Sequence, residues 1–251
     1  MDWMRFSRQN RIELGLLEGD RVRVARGDLF SGCELTDEVL AVDQVRWATP
    51  CVPTKMIALW NNFRAAAAKF ALGIPPEPLF FLKGANSFCA HAAIIPAPQS
   101  YAGKVLFEGE LGVVIGKTGR DISLANAAAY IFGYTCVNDV TAVDLLKADA
   151  SFPQWTRAKS FDSFGPFGPI IATDLDPATL VVRTLVNGKE RQSYPVSDMI
   201  FSPAQLVSLV SRVFPGDVIS CGTSVGAGPI PRGATVEVGI EGIGTLSNRY
   251  E

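Results

Sequence analysis

The run Leu106–Gly116, LFEGELGVVIG, decides how this chain reads. It has the look of a buried strand, and side chains two apart on a strand point to the same face. Glu108 and Glu110 therefore share one face, and Phe107, Gly109, Leu111 and Val113 share the other. Two carboxylates side by side repel unless solvent bathes them or a positive charge lies between them. Solvated strand faces often carry such pairs, so the spacing alone does not choose between the two. A third carboxylate, Asp139, closes the string YTCVND, where a strand delivers its last side chain to a rim. A hard divalent cation takes oxygen ligands, and Mg2+ commonly uses a few carboxylates and keeps waters for exchange with substrate.

Outward from this run, short segments broken by Gly, Pro, Asn and Asp predict strands. Ile57–Trp60, PLFFLKG and YTCVND are such segments, and VVRTLVNGKERQSYPV reads as a hairpin turning at Asn187-Gly188. Arg64 to Leu72 is Ala-rich and helical by propensity. DISLANAAAYIFG predicts a short helix with Leu124, Ala128 and Ile131 on one face and Gly133 as its stop. FSPAQLVSLVSRV predicts another, with a capping box from Ser202 to Gln205, Pro203 at the first position and a stripe of Leu206, Leu209, Val210 and Val213. Strands dominate, so the expected class is mostly β with interspersed helices (α+β). RIELGLLEGDRVRVARGDLF reads as a small β unit, and Pro50 and Pro53 as a stiff linker. The expected division is a small N-terminal β domain, residues 1–52, and a larger domain, residues 53–251.

Composition narrows the function. The 251 residues are 48% hydrophobic, enough for a substantial core. Lys plus Arg number 23 and Asp plus Glu 25, a balance that argues against a nucleic-acid binder and a polybasic membrane docker. The five cysteines are scattered without a C-x-x-C pair, which suggests neither a zinc ribbon nor a disulfide framework. Free cysteines in apolar strings, and no apolar leader or membrane-length run, predict a cytoplasmic protein. His91 is the single histidine, so any His-dependent triad, zinc site or general base must use it. It lies in SFCAHAAIIPAP and reads as a partly exposed loop residue.

Several motifs in order, GELGVVIGKTGRDIS, YIFGYTCVNDVTAVDLL, QWTRAKSFDSFGPFGP, MIF, PGDVISCGTS and VEVGIEGIGTLSN, resemble the fumarylacetoacetate hydrolase superfamily from about residue 55 to 250. The resemblance is nearest to bacterial 2-hydroxyhepta-2,4-diene-1,7-dioate isomerase or hydratase-type members, and residues 1–52 look like their small N-terminal β domain. It implies a fumarylacetoacetase C-terminal-like β-fold, Mg2+ or Mn2+ held by Glu108, Glu110 and Asp139, and an active-site lysine at Lys159. It further implies that Gln154 lines the substrate site, that Thr223 and its neighbouring amides hold a substrate carboxylate, and that the protein is a homodimer. Ser224 stands where the family commonly has proline. The family's N-Y-x-x-H-x-x-E string is here NFRAAAAK, Asn62 to Lys69, with Ala66 at the His position and Lys69 at the Glu position. The water-activating dyad is missing, and Lys69 or Arg64 stands as its replacement, or both as a solvated helix face.

The expected function is thus a metal-dependent lyase or isomerase acting on small anionic 2-oxo (di)carboxylic acids through an enolate, by decarboxylation or isomerisation. The alternatives are an acylpyruvate-type C–C hydrolase, a non-catalytic metal-dependent 2-oxo-acid binder, and a C–C bond-forming enzyme.

Overall fold

The computed structural model describes all residues, Met1–Glu251, and its fold is mostly β with few helices. A 12-stranded sheet forms the spine. From one edge its main path runs Gly32–Ala41, Arg21–Asp28, Arg11–Glu18, Asp2–Arg8, Gly165–Ala172, Ile131–Asn138, Gly109–Ile115, Val218–Ser220, Met56–Trp60 and Leu79–Lys83. A five-stranded sheet, built on the hairpin Val181–Val186 with Lys189–Pro195 and the hairpin Thr235–Ile240 with Gly244–Tyr250, covers one of its faces. Leu111, Val113 and Ile115 of the central strand enter the core shared with Val182, Tyr194, Val238 and Leu246 of that second sheet. Alternation turns Glu110 and Val114 to the opposite face.

The N-terminal strands extend the large sheet. Asp2 pairs with Ala172 and Trp3 with Ile171, so hydrogen bonding continues across the boundary expected near residue 52. Pro50, Cys51 and Pro53 are buried at the junction.

Three local readings change in the structure. LFEGELGVVIG is two strands, Val105–Phe107 and Gly109–Ile115, parted at Glu108. The first pairs with Thr141–Ala142 and Gly228–Pro229 in a small third sheet, and the second with Ile131–Asn138 and Val218–Ser220 in the large one. The predicted stop at Gly133 lies inside a strand, because the helix Leu124–Ala127 tightens into a 3-10 turn and Ile131 is already extended. A Cβ at Gly133 would sit 2.5 Å from the Ala172 carbonyl, so glycine there permits close strand pairing. The helix Pro203–Leu209 has its Ser202–Gln205 capping box, but it ends before Val210, and Leu209 is 49% exposed. Val207 takes the buried place that the stripe assigned to Leu209.

His91 packs edge-on against Trp47, ring centres 5.0 Å apart, and its Nδ1 accepts the Ser247 N–H at 3.1 Å. Burial lowers its pKa, opposed by the backbone at Thr245. With the folded pKa depressed, the unfolded chain takes the proton first. Its stabilising contribution is whole above the unfolded value of about 6.5 and is lost as pH falls below it. Thermal unfolding should therefore show a loss of midpoint on acidification from about pH 7 to 5.5, and His91→Gln should lack that part of it. An identical pH slope in the variant would remove His91 as the cause.

Candidate active site

The break at Glu108 is held by its backbone partners. The Glu108 N–H donates to Asn138 Oδ1 at 3.1 Å, and its carbonyl accepts the Asp139 N–H at 2.8 Å. The chain thus passes from the small sheet to the large one without leaving polar groups unpaired. It also brings Glu108, Glu110 and Asp139 together, with one carboxylate oxygen of each within 4.8 Å of the others. Asp139 and Glu110 are fully buried, and Glu108 keeps 13% of its side chain exposed.

The positive charge that such a pair requires comes from a five-residue helix, Trp155–Lys159, laid over this face. Lys159 Nζ donates to Glu108 Oε2 at 2.8 Å and to Asp139 Oδ2 at 2.5 Å. It also lies 4.8 Å from the centre of the Phe81 ring. Phe81 in turn stacks on Trp155 at 5.1 Å. A second lysine, Lys83, ends the edge strand Leu79–Lys83 and donates to Asp139 Oδ1 at 2.5 Å. Nothing in the sequence reading marked it. Phe81 and Lys83 lie two apart on that strand, so both point to the site.

Two ammoniums against three carboxylates leave one negative charge uncompensated, and it falls on Glu110. Its Oε2 accepts from Ser220 Oγ at 2.5 Å and from the Gly222 N–H at 2.9 Å. Its Oε1 is buried with no hydrogen-bond partner. A buried, unpartnered carboxylate oxygen is costly unless something positive meets it. Burial, then Asp139 and Glu108, hold the Glu110 carboxyl well above its usual range. Burial also raises Glu108, against the pull of Lys159. For Asp139 burial pushes upward, yet Lys159 and Lys83 carry it below its ordinary value. Lys159 is raised despite burial because Asp139 and Glu108 face it, whereas burial leaves Lys83 lowered even beside Asp139. An all-oxygen donor set with one oxygen unpartnered fits a hard divalent cation such as Mg2+ or Mn2+.

The other residues singled out in the sequence are placed as follows. Gln154 directly precedes the Lys159 helix as its N-terminal flanking residue and is half-buried. The Thr223 hydroxyl donates to the Gly109 carbonyl at 3.0 Å and accepts from Gln192 Nε2 at 2.8 Å, so it is already engaged beside the acidic pair. Arg64 turns its guanidinium to the carbonyls of Asp198 and Met199. Lys69 is exposed, its ammonium 5.9 Å from the Phe70 ring centre. Neither is hydrogen-bonded to the acidic cluster. Ala66 is packed into the main core. Lys83, Gln192 and Tyr194 complete the neighbourhood, and none of them carries a local signal that points to the site.

The family model described as fumarylacetoacetate (FAA) hydrolase C-terminal matches residues 55–251, and one described as Rv2993c-like, N-terminal matches residues 1–50. A crystal structure of a 2-hydroxyhepta-2,4-diene-1,7-dioate isomerase from Mycobacterium marinum superposes with a TM-score of 0.90 at 36% identity, covering 100% of this chain and 98% of that one. The oxaloacetate tautomerase YisK of Bacillus subtilis is 35% identical over 233 residues, 86% of this chain and 76% of that protein. The 4-hydroxyphenylacetate degradation bifunctional isomerase/decarboxylase of Salmonella dublin is 36% identical over 250 residues, 96% of this chain and 57% of that protein.

Proposed function

The chain belongs to the fumarylacetoacetate hydrolase family, and from that premise we propose that it is a Mg2+- or Mn2+-dependent lyase or isomerase of small 2-oxo acids. The single observation that carries this reading is Glu110, a buried carboxylate with one unpartnered oxygen in a trio whose two lysines leave it without a cation. Glu108, Glu110 and Asp139 would hold the ion. When bound, such an ion supplies Lewis-acid charge to the carboxylate and 2-oxo oxygens of a substrate.

The rest of the work falls to this chain's side chains. Lys159 is held rigidly by Glu108 and Asp139 beside an aromatic wall of Phe81 and Trp155. A fixed ammonium aimed at developing enolate charge stabilises it without reorganisation. Lys159 and Lys83 together hold Asp139 in its ionised form. The helix Arg64–Lys69, where the family carries its water-activating pair, offers no such group here. Ala66 is apolar and buried, and Lys69 points to solvent. Loss of CO2 or a proton shift needs less from a water-activating base than C–C hydrolysis does, and relatives of both isomerase and decarboxylase name accord with that.

We also propose a homodimer. The terminal strand Leu79–Lys83 of the large sheet exposes Leu79, Phe80 and Leu82 next to Trp60, an apolar edge of the kind that a second copy covers. No helix is long and apolar enough to cross a membrane.

The test is turnover with Mg2+ on oxaloacetate, on hydroxy-dienedioates and on acylpyruvates. Decarboxylation, tautomerisation or isomerisation of the first two is expected, abolished by chelation. Turnover of acylpyruvates alone would reverse the ranking in favour of a hydrolase. Mg2+-dependent binding of oxalate with no turnover of any substrate would make the protein a 2-oxo-acid binder.

A further inference from the structure

Gly109 separates the two glutamates, and both polar groups of this residue are tied to side chains beyond the acidic trio. Its N–H donates to Gln192 Oε1 at 3.0 Å. Its carbonyl accepts from the Tyr194 hydroxyl at 2.5 Å and from the Thr223 hydroxyl at 3.0 Å. Gln192 Nε2 closes the circuit by donating to Thr223 Oγ1 at 2.8 Å, with the Ser224 carbonyl at 3.3 Å. Gln192 and Tyr194 are 2% and 3% exposed, two residues apart on the strand Lys189–Pro195. They reach Gly109 from the five-stranded sheet, the side away from the carboxylates.

A buried glutamine is costly unless both ends of its amide are bonded. Here the oxygen takes an N–H and the nitrogen gives to oxygens, so the partners fix the orientation of the amide. No member of this circuit hydrogen-bonds to the carboxylates of Glu108 or Glu110. What it holds is the short stretch of backbone from which both side chains depart. That stretch needs holding, because glycine leaves the backbone more torsional freedom than any other residue. A larger residue cannot supply the stiffness instead, since a Cβ at position 109 would collide with the Thr184 hydroxyl.

We propose that Gln192, with Tyr194 on the carbonyl side, is a positioning residue that sets the spacing and direction of Glu108 and Glu110 toward a divalent cation. The role rests on the reading of the acidic trio given above. It also gives the Thr223 hydroxyl a part in the same brace. Residues that orient metal ligands without touching the ion typically change affinity by about 10–100-fold when replaced.

The experiment is Mn2+ titration of the full chain, followed by the electron paramagnetic resonance signal of free Mn2+, for wild type, Gln192→Met and Tyr194→Phe. Gln192→Met should raise the Mn2+ Kd by about 10–100-fold. Tyr194→Phe should raise it less, because Thr223 still bonds the same carbonyl. Thermal unfolding in chelator is run alongside. A role confined to packing would lower the midpoint and leave the Kd of the folded protein unchanged, and that result in Gln192→Met overturns the proposal. If Gln192→Met does not fold, Tyr194→Phe decides on the same criterion. A wild type that binds no Mn2+ overturns the reading of the trio and this inference with it, whereas a binding wild type with unchanged variants overturns only the positioning role.

Discussion

Lys159→Met should lower kcat/KM by about 10²–10⁴-fold and unsettle the fold at the same time. Lys159 is 2% exposed and is the one cation shared by Glu108 and Asp139. Removing one partner of a buried ion pair costs about 3–5 kcal/mol, because the charges left behind keep their desolvation penalty. Asp139 retains Lys83, but Glu108 keeps only the Thr141 hydroxyl at 2.8 Å. The loss of stability should be largest in chelator and partly relieved by Mg2+, since a ligand at a hundred times its Kd adds about 2.7 kcal/mol. Lys159→Arg restores the charge but not the fit, as a planar fork replaces a compact ammonium. It should recover stability more than turnover. Steady-state kinetics and thermal unfolding, each with and without Mg2+, test the set. Unchanged kcat/KM would remove Lys159 from the chemistry, and instability indifferent to Mg2+ would argue that the trio does not hold the ion.

Glu110→Gln should have two effects of opposite sign. Divalent-cation binding should fall by at least about 100-fold, because a charged oxygen is exchanged for an amide in a set of hard ligands. The metal-free protein should become more stable at pH 8. Gln keeps an acceptor for Ser220 Oγ and the Gly222 N–H, and its amide nitrogen supplies donors where Oε1 had no partner, in a cluster of carboxylates. It also replaces a buried carboxyl that neither lysine contacts and whose ionisation burial opposes. Urea unfolding in chelator and Mn2+ titration separate the two effects. A variant less stable than wild type in chelator would mean that Glu110 is compensated by some group other than a bound ion.

The readable parts of this site were those whose signals are local in the chain. Two glutamates two apart, an aspartate closing an apolar string, an Asn-Gly turn and a capping box each declare themselves within a few residues. The turn at Asn187 and Gly188 has both residues at positive φ, as the primed hairpin type requires. What the sequence hid depends on distant partners. Lys83 meets Asp139 across 56 positions, and Gln192 meets Gly109 across 83. A glutamine on an otherwise polar strand gives no hint that it is buried. The same holds for the break at Glu108: alternation reads through it, and only the separate pairing partners of Val105–Phe107 and Gly109–Ile115 reveal two strands. Gly133 reads as a helix stop because glycine serves that purpose locally, whereas its real constraint is the backbone of Ala172. Arg64 and Lys69 were singled out by position in a motif, and the structure turns them to carbonyls and solvent.

The pairing of Asp2–Arg8 with Gly165–Ala172 gives the first fifty residues a task unrelated to the acidic site. That inner strand carries eight buried residues in a row, Gly165 to Ala172, and with its N-terminal neighbour cut away part of its backbone would stand as a raw hydrophobic border. Such borders recruit other chains and precipitate. Residues 53–251 expressed alone would thus hold every group named in the site and yet be prone to insolubility, so the N-terminal strands serve as a guard rail for the sheet they precede.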